Sequence, residues 1–350
     1  MKIIIEKIRH HLKVQLPFVV YNKPNDLKVS ALFQKDDTLN CLTNKFDKEG
    51  FVFAPFHNEH KTILIPVKNA EYIESSFSQN LIELEAVTPI DSISKSNHEK
   101  LVAKGISAIK KGFFKKVVLS RKEEVIIDNI EIIETYQKLL QTYPNAFVYM
   151  WFHPKVGLWL GATPETLLSL KDNCFTTMAL AGTQVFDKNI APSWSKKEID
   201  EQQFVTDYIE NKLTDFSKEI KFSETRTVKA GSLIHLCTDI TGKLDETKQD
   251  GLFSLINLLH PTPAVCGLPK GPAKQFILAS ENYDRSYYTG YLGELNMQKN
   301  DVQLYVNLRC MEIIKNKVGI YVGGGITAES NPEKEWEETV SKSKVMLKVL

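Results

Sequence analysis

A chain of 350 residues is long enough for one large domain or about two of typical size, and its 43% hydrophobic and 25% charged content is ordinary for a globular protein. A formal net charge of +1 excludes a general electrostatic attraction to nucleic acid or to an anionic membrane surface. The apolar runs fall short of a membrane span, and Glu6 interrupts the apolar opening stretch, unlike a secretory signal. Cys41, Cys174, Cys237, Cys266 and Cys310 are odd in number and lack paired metal spacing, so free thiols of a reducing compartment are expected. The expectation is a soluble, cytoplasmic, monomeric protein that binds neither nucleic acid nor membrane.

Residues 1–95 carry little chemical signal, and the polar stretch 91–97 is the best candidate for a seam before a helix at 98–111. A strand is expected at 116–127 and a helix at 130–142. Residues 147–152 and 157–161 read as a hairpin, and 167–170 pairs with 174–181 across Lys171-Asp172-Asn173. A helix follows at 193–212, capped by Ser193 or Ser195, with Ile199, Phe204, Val205, Tyr208 and Ile209 as its apolar face. Residues 302–314 read as one strand, turning at 315–317 into 318–322. The chain closes with a strand, the run Gly323, Gly324 and Gly325, and a helix capped by Ser330 or Asn331 with Pro332 in its first turn. Strands joined by short turns indicate antiparallel sheet, and no G-x-G-x-x-G or phosphate-loop sequence appears; the class is α+β.

Two helix starts each offer a Glu-x-x-Glu: Glu198 with Glu201, and Glu335 with Glu338. Residues three apart share a helix face, and four carboxylates meeting at one spot would require a cation. Hard oxygen donors without His or Cys favour Mg²⁺; the bland alternative is two solvated acidic first turns, which the helix dipole also favours. The three glycines, lacking Cβ, let the backbone turn sharply or lie against an anion. Lys116 opens an apolar strand, either snorkelling at a sheet edge or desolvated and acting as a base. Glu165, in Gly161-Ala-Thr-Pro-Glu165, follows a strand where the chain turns, either capping a short turn or serving as a protonated general acid. Arg309, read as mid-strand, calls for a carboxylate partner from protein or ligand. His235 reads first as a core histidine and second as a hydrogen-bonding partner for substrate. The segment 260–267 is a turn or helix entry stiffened by two prolines.

Taken in order, Lys116–Arg121, Gly161–Glu165, Ala179–Thr183, Glu198–Glu201, His260–Gly267, Glu281–Arg285 through Gly290, Val306–Cys310 and Gly323–Lys342 resemble the chorismate-utilising enzymes. That family comprises isochorismate synthases, salicylate synthases, and the synthase chains of anthranilate and aminodeoxychorismate formation. The resemblance covers roughly residues 96–350; residues 1–95 match only in general character. It implies one chorismate-binding domain over 1–350, in which antiparallel sheets pack as a sandwich flanked by helices.

Three positions sort the family's chemistry. Lys116 stands where water-adding members carry their base and aminating members carry Gln. Ala181 stands where some aminodeoxychorismate synthases carry a nucleophilic lysine. Ala264 stands where aminating and pyruvate-eliminating members tend to carry Thr. The resemblance therefore implies an isochorismate synthase. Salicylate synthase is the alternative, and a non-catalytic paralogue or synthase subunit a second one. It further implies Mg²⁺ held by Glu201 and Glu338 with Glu198 and Glu335 beside them, Lys116 as base and Glu165 as acid. Arg309 with Gly323–Gly325 would bind the enolpyruvyl carboxylate, with Lys342, Gly182, Thr183, His235 and Ala264 as further substrate contacts. The product would feed menaquinone or catecholate siderophore synthesis.

Overall fold

Burial along the strands dictates how the layers assemble. In the strand Phe147–His153, Phe147, Tyr149 and Trp151 join one apolar cluster while Val148, Met150 and Phe152 join another. In Gly50–Ala54, Phe51 and Phe53 separate from Val52 and Ala54 in the same way. Successive strand residues point to opposite faces, so a strand that is apolar throughout needs cover on both sides. The structure, a computed structural model, supplies that cover with two sheets face to face and helices outside each. It describes the chain except for residues 44, 45, 47, 81, 83, 85–91, 215, 218, 232, 245–250, 299 and 300.

Among the described residues, the first sheet runs Gly267–Leu268, Lys116–Ile126, Lys317–Ile326, Cys310–Ile314, Gly157–Thr163, Phe147–His153, Phe18–Asn22, Lys28–Gln34, Ala70–Ser76. The second runs Lys221–Phe222, Leu233–Lys243, Cys174–Val185, Thr166–Lys171, Asp301–Val306, Tyr291–Leu295, Gly50–Ala54, Thr62–Pro66, Cys41–Leu42, with Arg226–Ala230 also paired to Leu233–Lys243. The pairings are antiparallel, and the amino-terminal strands extend both sheets. Aromatic side chains fill the space between the sheets: Phe147 stacks on Tyr305 at 4.2 Å and Phe53 on Tyr287 at 4.4 Å, centroid to centroid. Helices Lys2–Val14 and Ile132–Thr142 cover the first sheet through Ile4, Ile8, Leu139 and Leu140. Helices Lys196–Leu213 and Gly251–Leu259 cover the second through Val205, Ile209, Leu255 and Leu259. Helix Pro332–Leu347 lies on the strand that carries the three glycines. The expected α+β sandwich flanked by helices is the architecture observed.

Four local expectations need correction. The seam at 91–97 is not a loop: helix Ser92–Lys110 runs through residues 92–97, while Asp91 lies outside the described residues. Packing against helix Pro332–Leu347, with Lys95 Nζ 3.1 Å from Glu333, overrides the weak helix propensity of that Ser- and Asn-rich start. The single strand expected at 302–314 is two, Asp301–Val306 in the second sheet and Cys310–Ile314 in the first. Ile199 is 49% exposed; Val205, Tyr208 and Ile209 of the expected face are buried, joined by Glu201, Gln202 and Leu213. Finally, Gly323, Gly324 and Gly325 form no turn. They sit within the strand Lys317–Ile326, opposite Ser120, Leu119 and Val118.

Candidate functional site

The site lies where the chain twice crosses from one sheet to the other. Strand Gly157–Thr163 belongs to the first sheet and Thr166–Lys171 to the second, leaving Pro164 and Glu165 as the link. Residues 307–309 make the reverse crossing alongside it. Val306 N–H donates to the Glu165 carbonyl at 2.9 Å, and Ala162 N–H donates to the Arg309 carbonyl at 3.0 Å. Asn307 anchors this crossing, donating to the Tyr287 carbonyl at 2.9 Å and accepting from Tyr149 Oη at 2.6 Å. Arg309 is therefore not mid-strand; its φ of 46° lies in the left-handed region, an uncommon conformation for a side chain this large. Crossing residues escape the in-and-out alternation of a sheet, which frees Glu165 and Arg309 to face one cleft.

That cleft is lined by Glu165, Gly182, Thr183, Glu201, His235, Ala264, Arg309, Gly323, Gly324, Gly325 and Lys342. Burial raises Glu165 to about 8 against the opposing pull of Lys116, Arg309 and Lys342, so it holds its proton at neutral pH. Burial, then the Arg309 charge, pushes His235 down to about 3 and keeps it neutral. With Nδ1 3.0 Å from the Gly182 carbonyl, that nitrogen carries the proton, and Nε2 turns toward Arg309 Nη2 at 3.4 Å. Among the described residues no protein carboxylate pairs with Arg309, which leaves the carboxylate partner expected of it to a ligand. Lys116 is fully buried; its Nζ lies 3.0 Å from Glu201 Oε1 and makes no well-directed hydrogen bond among the described residues.

Two glycines of the run, Gly324 and Gly325, are crowded by carboxylates, while a Cβ on Gly323 would meet the Leu119 carbonyl and Ser120. A Cβ on Gly325 would lie 2.1 Å from Glu201 Oε1 and 3.1 Å from Lys116 Cε. A Cβ on Gly324 would lie 3.3 Å from both Glu335 Oε2 and Glu338 Oε1. Gly182, at φ 72° on a bulge opposite His235, gives similar clearance to Glu198 at 3.1 Å. Glu335 and Glu338 thus converge over Gly324, while Glu201 lies over Gly325 beside Lys116. Glu198 turns back into a capping box with Ser195, whose N–H it accepts at 2.9 Å. Asn331 caps the other helix, accepting from Lys334 N–H at 3.1 Å.

The structure brings two of the four carboxylates to one spot and holds Glu201 nearby. Among the described residues, no three His, Cys, Asp or Glu side chains form a closed metal-ligand group. Glu335 Oε2 is nevertheless buried without a hydrogen-bond partner among the described residues, and burial followed by the Glu338 charge raises that carboxyl to about 7. Burial also opposes the charge on Glu338, but Lys342 and Lys197 more than offset it and hold that group below the ordinary carboxylate value. Two crowded carboxylates with an unpartnered oxygen, in an all-oxygen donor set, fit a hard divalent cation such as Mg²⁺.

Several lining residues carry no signal in the sequence. Tyr288, Thr289, Leu308 and Tyr321 face the cleft from positions that read as ordinary core, and Lys197 binds Glu335 at 2.5 Å. Only the capped helix start ahead of Glu198 could have drawn attention to Lys197. The segment at 281–285 supports the site from behind. Arg285 and Glu281, both 2% exposed, form a 2.6 Å ion pair; Arg285 donates to the carbonyls of Val118 and Val265, and Glu281 accepts from Ser120 N–H. This pair ties the strand bearing Lys116 to the turn bearing Ala264.

The family model for the chorismate binding enzymes matches residues 33–350. The isochorismate synthase EntC of Escherichia coli K12 is 30% identical over 291 residues, covering 80% of this chain and 72% of that protein. The isochorismate synthase DhbC of Bacillus subtilis is 30% identical over 266 residues, covering 71% of this chain and 66% of that protein. In three dimensions the chain superposes on a DhbC structure from Bacillus anthracis with a TM-score of 0.81 at 24% identity, covering 98% of both chains.

Proposed function

Because the chain belongs to the chorismate-binding enzymes, with isochorismate synthases among its relatives, we propose that it converts chorismate to isochorismate. It is an enzyme of the isochorismate synthase type. The observation that carries the reading is a protonated acid on the cleft, Glu165 raised to about 8, with the buried Lys116 behind the lining and 3.0 Å from Glu201, itself a lining residue. In its neutral amine form Lys116 accepts a proton from water as the water oxygen bonds to ring C2. The ring double bonds shift, the C4–O bond breaks, and Glu165 protonates the departing hydroxyl, so one water enters and one leaves. Burial gives Glu165 a proton to donate at a pH where an exposed carboxylate has none.

Arg309 with the backbone of Gly323–Gly325 receives the enolpyruvyl carboxylate of the substrate, with Lys342 beside them, and neutral His235 offers Nε2 as an acceptor. Glu338 and Glu201, with Glu335 beside them, are the residues that would hold Mg²⁺, whereas Glu198, expected as a fourth, is taken up by the capping box with Ser195. When bound, Mg²⁺ supplies charge neutralisation and a fixed position for the ring carboxylate. Ala264 leaves the wall near the turn small and apolar, which favours release of isochorismate over further elimination.

Incubation with chorismate and Mg²⁺, followed by chromatography and a coupled pyruvate assay, tests the reading. Isochorismate without pyruvate is expected, with loss of turnover in EDTA and recovery on adding Mg²⁺. Stoichiometric pyruvate with salicylate would replace the assignment by salicylate synthase, and no consumption of chorismate would point to a non-catalytic chain.

A further inference from the structure

Three carboxylates of the site are each matched by a lysine of the chain: Glu201 by Lys116, Glu338 by Lys342, and Glu335 by Lys197. The three lysines differ in their freedom. The Lys116 and Lys342 side chains are 0% and 10% exposed, and Lys342 is further tied to the Gly323 carbonyl at 2.9 Å. Lys197 is 24% exposed and donates to the Glu335 carboxylate at 2.5 Å, with no backbone tie of the kind that fixes Lys342 among the described residues. It stands in the first turn of helix Lys196–Leu213 and reaches across to helix Pro332–Leu347. There it lines the open groove shared with Glu198, Glu335 and Glu338.

Its electrostatic surroundings describe a cation's place. Burial works against the Lys197 charge, but Glu335, Glu338 and Glu201 together more than offset it. The same three carboxylates are those assigned above to the divalent cation. Two cations cannot both occupy the mouth of this cluster at close range, because like charges in a partly desolvated site repel strongly.

We propose that Lys197 is a displaceable internal counter-ion: it pairs with Glu335 while the divalent-cation site is empty and swings into the groove when the cation binds. The proposal rests on the reading of these carboxylates as a cation site. Lys197 keeps the crowded pair Glu335 and Glu338 tolerable in the empty enzyme. By competing for the same oxygens, it holds the affinity of the substrate-free enzyme for divalent cations low. Its side chain has somewhere to go, since the groove it lines is open to solvent and a lysine stem reorients at little cost.

Mn²⁺ binding to the substrate-free enzyme, followed by electron paramagnetic resonance, reads this directly. Lys197→Met is expected to bind Mn²⁺ about tenfold or more tightly than wild type, equivalent to about 1.4 kcal/mol, while Lys197→Arg stays within about threefold. Unchanged or weaker binding by a folded Lys197→Met protein would overturn the counter-ion role. Absence of Mn²⁺ binding by wild type and by both variants would instead overturn the cation-site reading itself. Should Lys197→Met fail to fold, the wild type answers alone through lysine acylation mapped by mass spectrometry. Labelling of Lys197 should rise when Mn²⁺ is added, and labelling that is unchanged by Mn²⁺ would refute displacement.

Discussion

Replacing Glu165 by Gln keeps the shape of the side chain and removes the proton equilibrium, so it isolates what burial does to this carboxyl. The group moves from an ordinary value of 4.5 to about 8 on folding. Its folded-state value is raised, so the protonated form favours folding. That contribution is fully present below about pH 4.5 and is lost as pH rises toward about 8. Each pH unit in this window corresponds to about 1.4 kcal/mol, so the whole window corresponds to about 5 kcal/mol as an order of magnitude. Between about pH 5.5 and about pH 7.5 wild type should lose about 3 kcal/mol relative to Glu165→Gln. Urea unfolding of both proteins across this range at fixed ionic strength measures the difference. Turnover of the variant should fall by about 10²–10⁴ because an amide cannot donate the proton the leaving hydroxyl needs. A stability difference flat with pH would refute the buried-acid argument, and turnover within about tenfold of wild type would remove Glu165 from the chemistry.

Other substitutions probe separate parts of the site. Gly325→Ala would place a Cβ 2.1 Å from Glu201 Oε1, so the carboxylate must leave; a loss of about 100-fold in kcat is expected in steady-state assays. Gly324→Ala meets Glu335 and Glu338 only at 3.3 Å, and its effect on Mg²⁺ dependence should be smaller than the Gly325→Ala effect on kcat; the reverse order would sink the assignment of these contacts. Lys116→Gln should cut water addition by about 10²–10⁴, and near-normal isochorismate formation would exclude Lys116 as base. Ala264→Thr should introduce pyruvate release, detectable with a coupled dehydrogenase; its absence would show that this position does not control elimination.

The class of the fold is legible in the order of amino acids alone, and many of the candidate residues named from it lie together on one cleft. Hairpins 147–161 and 167–181 announce themselves through short turns between apolar runs, and the observed registers, Phe152 opposite Leu158 and Leu170 opposite Phe175, follow from those turns. Glu165, Arg309 and the carboxylates stand out as polar groups beside apolar strands. The sheet exchange at 307–309 is not legible, since an apolar run that changes partners midway looks like one long strand. The glycines are legible only in part: the run reads as a sharp turn or as backbone against an anion, and the structure keeps it in the strand, with carboxylates from neighbouring helices crowding Gly324 and Gly325.

By itself the sequence determined the local periodicities, the two candidate caps at each of two helix starts (Ser193 or Ser195, and Ser330 or Asn331), and the residue types able to give or take protons, because these depend on near neighbours along the chain. Only the tertiary structure decided that Glu165 keeps its proton and that Arg309 lacks a protein carboxylate partner among the described residues. It also decided that Lys197, silent in the sequence, stands at the mouth of the carboxylate cluster. Desolvation and charge pairing are sums over everything packed around a group. In this chain those surroundings come from residues more than a hundred positions apart, as Lys197 and Glu335 are.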